Sequence, residues 1–109
     1  KLKGKMDGLS LRVPIPVGSI NDLTCLFSKA ASAEEINAAL QKSAEGKMKG
    51  ILEYTEDPIV SSDIVHNPAS SIVDGLSTKA IGKTAKVLSW YDNEWGFSNR
   101  MVEMACRMF

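Results

Sequence analysis

Apolar and polar side chains first alternate at Leu9, Leu11 and Val13, which are separated by Ser10 and Arg12. Period two is the pattern of a half-buried strand, so a strand is expected there, with Arg12 on its polar face and Pro14 and Pro16 ending it. A second strand is predicted from Ser19 to Phe27, with Leu23, Cys25 and Phe27 on one face and Asp22 and Thr24 on the other. The period then changes. Ser32 and Glu35 have the Ser-x-x-Glu spacing of a capping box, and Ile36, Ala39, Leu40 and Ala44 follow as a helical stripe that Gly46 can stop.

Two further strands are predicted at Gly50 to Thr55 and Ile59 to Val65, joined at Glu56-Asp57-Pro58 and ended by Asn67-Pro68. Another pair, Ser71 to Thr78 and Thr84 to Tyr91, flanks a Gly82-Lys83 turn. Phe97, Met101, Met104, Ala105 and Met108 then repeat at helical spacing, with Asp92 or Asn93 available as N-cap. Such a stripe is expected to be docked on a core. Hairpin-linked strands with few helices predict an α+β fold: a mixed, mostly antiparallel sheet with helices on one face, not repeated βαβ units.

Composition narrows the function classes. At 109 residues, with 44% hydrophobic and 24% charged positions, the chain has the make-up of one globular domain. Thirteen basic and thirteen acidic residues cancel, so neither nucleic acid nor an anionic membrane is expected as a partner. No apolar run is long enough to span a bilayer, and the KLKGKMDG start carries no apolar h-region, so a cytoplasmic protein is expected. A first residue of Lys1 is expected of a chain that begins inside a longer gene product or follows a cleavage. Cys25 and Cys106 form neither a disulfide framework nor a metal pair and are expected to be buried thiols; His66, in a His-Asn-Pro turn, is expected on a surface loop.

The most improbable segment is Ser89 to Arg100, SWYDNEWGFSNR, lying where a strand pattern gives way to a helical one. It resembles the C-terminal signature of phosphorylating glyceraldehyde-3-phosphate dehydrogenases. The segments GLSLRVPIP (Gly8 to Pro16), SINDLTC (Ser19 to Cys25), GILEYTEDPIVSSD (Gly50 to Asp63) and SSIVDGLST (Ser70 to Thr78) follow in the same family's order and spacing. The resemblance therefore covers essentially the whole chain. It implies the later part of the dehydrogenase catalytic domain over residues 1–92, and a C-terminal helix over 93–109 that packs on a nucleotide-binding domain outside this sequence.

In that family a cysteine thiolate attacks the aldehyde with a histidine as base, hydride passes to a nicotinamide, and phosphate attacks the resulting thioester. The Cys-Thr-Thr-Asn-Cys segment that carries the nucleophile is absent here, as is a Gly-x-Gly-x-x-Gly cofactor fingerprint, so no catalytic residue is assigned and the chain alone is expected to be inactive. Two binding roles carry over. The arginine of Arg-Val-Pro, Arg12, is expected to hold substrate or inorganic phosphate, and the asparagine of Trp-Tyr-Asp-Asn-Glu, Asn93, to hydrogen-bond the nicotinamide carboxamide of NAD or NADP. The implied partners are an N-terminal portion of the enzyme, a phosphorylated aldehyde and further copies in a homotetramer.

Phe97 replaces the tyrosine most common at its position, and Ala69 a histidine frequent before Ser-Ser. Phenylalanine at that position is also familiar from erythrose-4-phosphate dehydrogenases, which remain an alternative, as does a non-catalytic oligomerisation fragment of the same family.

Overall fold

A computed structural model describes residues 2–108. Six elements follow in the order β1 (Ser19–Leu26), α1 (Ala33–Glu45), β2 (Leu52–Thr55), β3 (Ser71–Ile81), β4 (Thr84–Tyr91) and α2 (Trp95–Met108). Lys1 and Phe109 lie outside the described residues, and with Phe109 the last position expected for the C-terminal helix. No helix among the described residues is long and apolar enough to cross a membrane.

The strands form one mixed sheet in the order β1-β4-β3-β2. β1 and β3 both run antiparallel to β4, whereas β2 runs parallel to β3. The chain is therefore α+β with a mostly antiparallel sheet, as the hairpin pattern predicts. At the β3–β4 turn Gly82 adopts φ 58°, a left-handed conformation that glycine enters without steric cost.

The parallel pair overturns one expected strand. Leu52 lies opposite Ser71 and Thr55 opposite Asp74, so the chain must return to the same end of the sheet before β3 begins, and a hairpin partner over Ile59 to Val65 is excluded. Those residues form turns instead. The Asp63 carboxylate accepts from the Val60 N–H at 2.7 Å, while the Asp63 N–H donates back to the Val60 carbonyl at 3.0 Å. The crossover nonetheless supplies the centre of the core: Ile64 packs with Ala69 and Ile72, and Ile59 and Trp90 close over them. The strand-forming residues of this segment thus serve a folded crossover.

The first expected strand is overturned as well. Residues 8–13 have no strand pairing, and Leu9 and Leu11 are more than four-fifths exposed. Among the described residues no strand runs beside them, and a strand without a hydrogen-bonded neighbour has no ladder to hold its backbone. α1 matches its sequence signals. Ser32 Oγ accepts from the Glu35 N–H at 3.2 Å and the Glu35 carboxylate accepts from the Ser32 N–H at 2.8 Å, closing the capping box. Ile36 is the buried residue of its stripe, and Asn37 Nδ2 ties the helix to β3 by donating to the Gly75 carbonyl at 2.9 Å. There β3 is irregular: Asp74 faces Leu88, but Lys79 faces Lys86.

α2 is the exception to the layer. Its stripe is open, with Phe97, Met101, Met104 and Met108 each more than half exposed, and among the described residues nothing covers it. Cys106 shares that exposure and Cys25 is only half-buried, so neither is the buried thiol expected; both are free. The reason is the same for the stripe and for Cys106: α2 touches the rest of the chain chiefly through its first two turns. Gly96 is buried against the Ala69 carbonyl, and Arg100 donates to the Gly50 carbonyl at 3.2 Å and to Ser70 Oγ at 3.4 Å.

Candidate functional site

The signature segment occupies the end of β4 and the start of α2. β4 stops at Tyr91, and the next side chain, Asp92, is almost fully buried at 2% exposure. Asp92 Oδ1 accepts from the Glu94 N–H at 2.9 Å and the Trp95 N–H at 2.8 Å, capping α2. Its other oxygen, Oδ2, accepts from the His66 N–H at 2.8 Å. Burial pushes this carboxyl up, but the backbone donors of Trp95, His66 and Glu94 together outweigh it and hold the group below its ordinary value of 3.8. Asp92 therefore stays ionised at neutral pH.

The cap expected at Asp92 or Asn93 is thus Asp92. Asn93 is exposed; its Oδ1 accepts from Ser19 Oγ at 3.5 Å, and its amide N–H2 makes no hydrogen bond among the described residues. Ser19 is at hand because the β1–β4 register sets it opposite Tyr91. His66 lies on the other side of the junction, exposed, at φ 62°, with its ring against Trp95 (centroids 4.8 Å apart, planes at 46°).

Arg12 is exposed on the extended segment before β1 and makes no hydrogen bond or ion pair among the described residues. The structure does not bring it into contact with Asn93. Ser19 lies seven positions after it, a tether that confines Arg12 to within ~25 Å of the Asn93 neighbourhood.

Sequence reasoning missed the bond from Asp92 to His66, the pairing of Ser19 with Asn93 and the His66–Trp95 contact. Only the spacing of Asp92 before Trp95 signalled any of these, and only as a cap. Arg100, the last residue of the signature segment, is structural: besides its bonds to the Gly50 carbonyl before β2 and to Ser70 Oγ in the crossover, it pairs with Glu103 at 2.6 Å.

Chemically, the junction offers an exposed amide with a free donor, held beside a helix N-terminus, while Arg12, on the segment before β1 and apart from the junction, is an unpaired guanidinium. These can bind a carboxamide and an anion. Among the described residues no cysteine is hydrogen-bonded to His66, and no group of three or more His, Cys, Asp or Glu side chains could hold a metal ion. For a dinucleotide's pyrophosphate the sequence has no glycine-rich cradle.

A family profile described as "Glyceraldehyde 3-phosphate dehydrogenase, C-terminal domain" matches residues 1–93, ending two residues before α2 begins. Among similar curated proteins, the glyceraldehyde-3-phosphate dehydrogenase of Mycobacterium leprae is 62% identical over 104 residues, covering 95% of this chain and 31% of its own length. That of Mycobacterium avium is 62% identical over 103 residues, 94% of this chain and 30% of the relative. Glyceraldehyde-3-phosphate dehydrogenase 2 of Streptomyces avermitilis is 54% identical over 105 residues, 95% of this chain and 31% of the relative. The chain thus spans about a third of the length of these relatives. A mixed sheet of the expected class, the signature at its strand-to-helix junction and a profile match over most of the sequence converge: the chain belongs to the glyceraldehyde 3-phosphate dehydrogenase C-terminal domain family.

Proposed function

We propose that this chain is the C-terminal part of a phosphorylating glyceraldehyde-3-phosphate dehydrogenase, which converts glyceraldehyde 3-phosphate, NAD or NADP and inorganic phosphate to 1,3-bisphosphoglycerate. The nucleophilic cysteine and its histidine base belong to an N-terminal portion outside residues 1–109, and the assembled enzyme is a cytoplasmic homotetramer. The observation that carries the reading is the division of labour at the junction. Asp92 satisfies the helix, leaving the exposed Asn93 amide free to meet a ligand.

Asn93 would hold the nicotinamide carboxamide, donating through Nδ2, while Ser19 occupies one side of its Oδ1. When bound, the nicotinamide supplies the hydride acceptor. Arg12 would clamp a phosphate by bidentate, charge-assisted hydrogen bonds, and no carboxylate among the described residues competes for it. The exposed stripe of α2 is the face we assign to contact with the nucleotide-binding portion. An apolar helix face open along Phe97, Met101, Met104 and Met108 supports that assignment, since contiguous apolar surface marks a docking site.

Steady-state kinetics of the full-length protein test the two roles. Arg12→Ala is expected to raise KM for the phosphorylated aldehyde at least about tenfold more than for an unphosphorylated analogue. Equal effects on both would remove Arg12 from the site. Comparative turnover of glyceraldehyde 3-phosphate and erythrose 4-phosphate decides the aldehyde, and absence of turnover with either leaves the assembly role alone.

A further inference from the structure

Two adjacent residues at the β4–α2 junction have opposite surroundings: Asp92 is buried and Asn93 is exposed. Asp92 does more than an ordinary N-cap. One carboxylate oxygen takes the Glu94 and Trp95 amides, the second takes the amide of His66 across 26 residues of sequence, and the Asp92 carbonyl accepts from the Gly96 N–H at 3.1 Å. Residues 94, 95 and 96 are all bonded back to residue 92, so the backbone of Asn93 is enclosed in that ring of bonds.

The clamp on His66 fixes where this ring sits. His66 is the one non-glycine residue with positive φ among those described, at 62°, a conformation that an L side chain disfavours and that surrounding bonds must hold. Its N–H points into Asp92 Oδ2 and its ring lies on Trp95, so crossover and helix start are locked at two points. Only a carboxylate can do both. Asparagine at 92 offers one acceptor oxygen and turns an N–H2 toward the His66 N–H; serine can cap the helix but is too short to reach His66 as well.

We propose that Asp92 is a positioning residue for the cofactor contact: by capping α2 and clamping the His66 amide, its carboxylate fixes the backbone of residue 93 so that the Asn93 amide faces the nicotinamide carboxamide. The inference rests on the Asn93 reading above. Ser19, meeting Asn93 Oδ1 at 3.5 Å from β1, leaves the amide N–H2 turned outward.

The test measures equilibrium binding to the full-length dehydrogenase by calorimetry, comparing the dinucleotide it uses with the same molecule lacking nicotinamide: ADP-ribose, or its 2′-phosphate for NADP. Asn93→Ala is expected to weaken dinucleotide binding about tenfold and to leave ADP-ribose within about twofold. Asp92→Ser is expected to weaken the dinucleotide about fivefold with ADP-ribose again unchanged, and Asp92→Ser/Asn93→Ala to bind no more weakly than Asn93→Ala alone. A purely structural role for Asp92 moves both ligands equally or neither, and either result overturns the inference while leaving Asn93 in place. If Asn93→Ala itself leaves the ratio of the two affinities unchanged, the Asn93 reading falls, and the positioning role falls with it. Should Asp92→Ser fail to assemble, the isosteric Asp92→Asn is held to the same comparison and the same two refuting outcomes.

Discussion

Replacing Gly96 by alanine sets two effects of opposite sign against each other. Within a helix the substitution would stabilise, because glycine is disfavoured relative to alanine by about 1 kcal/mol in a helix interior and by less in the first turn, where residue 96 lies. Here an added Cβ would fall 2.7 Å from the Ala69 carbonyl oxygen, well inside the 3.4 Å at which ordinary van der Waals contact begins. That oxygen cannot easily retreat. Ala69 is 1% exposed within the Ile64–Ile72 cluster, its N–H is bonded to Asn67 Oδ1 at 2.7 Å, and the next N–H, of Ser70, is bonded to the Ile51 carbonyl at 2.8 Å. Overpacking of this kind costs about 1–3 kcal/mol, so the clash wins and Gly96→Ala should destabilise by about 1–2 kcal/mol. Urea unfolding followed by tryptophan fluorescence reads the junction directly, since Trp90 packs on the core and Trp95 opens α2. Amide hydrogen exchange in the first turn of α2 should accelerate about tenfold for each 1.4 kcal/mol lost locally. A variant as stable as the parent, or more so, would refute the argument that α2 is seated on Ala69.

Three further outcomes are expected. Because the folded-state pKa of Asp92 lies below 3.8, the stability it contributes is complete above that value and is lost as pH falls through the lowered pKa. The thermal stability gap between the parent and Asp92→Asn should be constant around neutrality and shrink only below 3.8; a gap that closes near neutral pH would contradict the assignment. Ser32→Ala removes the capping-box acceptor for the Glu35 N–H and should cost about 1 kcal/mol in denaturant unfolding, whereas Ser32→Asp should cost little. The Lys86–Asp22 pair is short at 2.6 Å, yet its side chains are 45% and 53% exposed, so Lys86→Met should change stability by less than about 0.5 kcal/mol; a loss above about 1 kcal/mol would show that exposure misjudges the pair.

The capping box at Ser32 and Glu35, the stop at Gly46, the Gly82 turn and the start of α2 were legible because each depends on residues within about four positions of one another. The family was legible for a different reason: its signature is contiguous. Two expected strands failed because a run of strand-forming residues between turn signals does not say which partner closes its hydrogen bonds. Leu9 to Val13 has no partner strand among the described residues, and Ile59 to Val65 buries Ile64 from within a turn.

By itself, then, the sequence determined both helices and four of the six expected strands, the α+β class, the family and the identities of Arg12 and Asn93 as candidate contacts. Tertiary structure alone decided that β2 joins β3 in parallel, so that the crossover becomes core, and that the crossover meets the β4–α2 junction where Gly96 sits against the Ala69 carbonyl. It also decided which distant residues meet there, His66 at Asp92 and Ser19 at Asn93. The physical reason is range. Capping and turn chemistry are settled by neighbours along the chain, but a buried carboxylate takes whichever N–H the fold brings to it, and that donor lies 26 residues away.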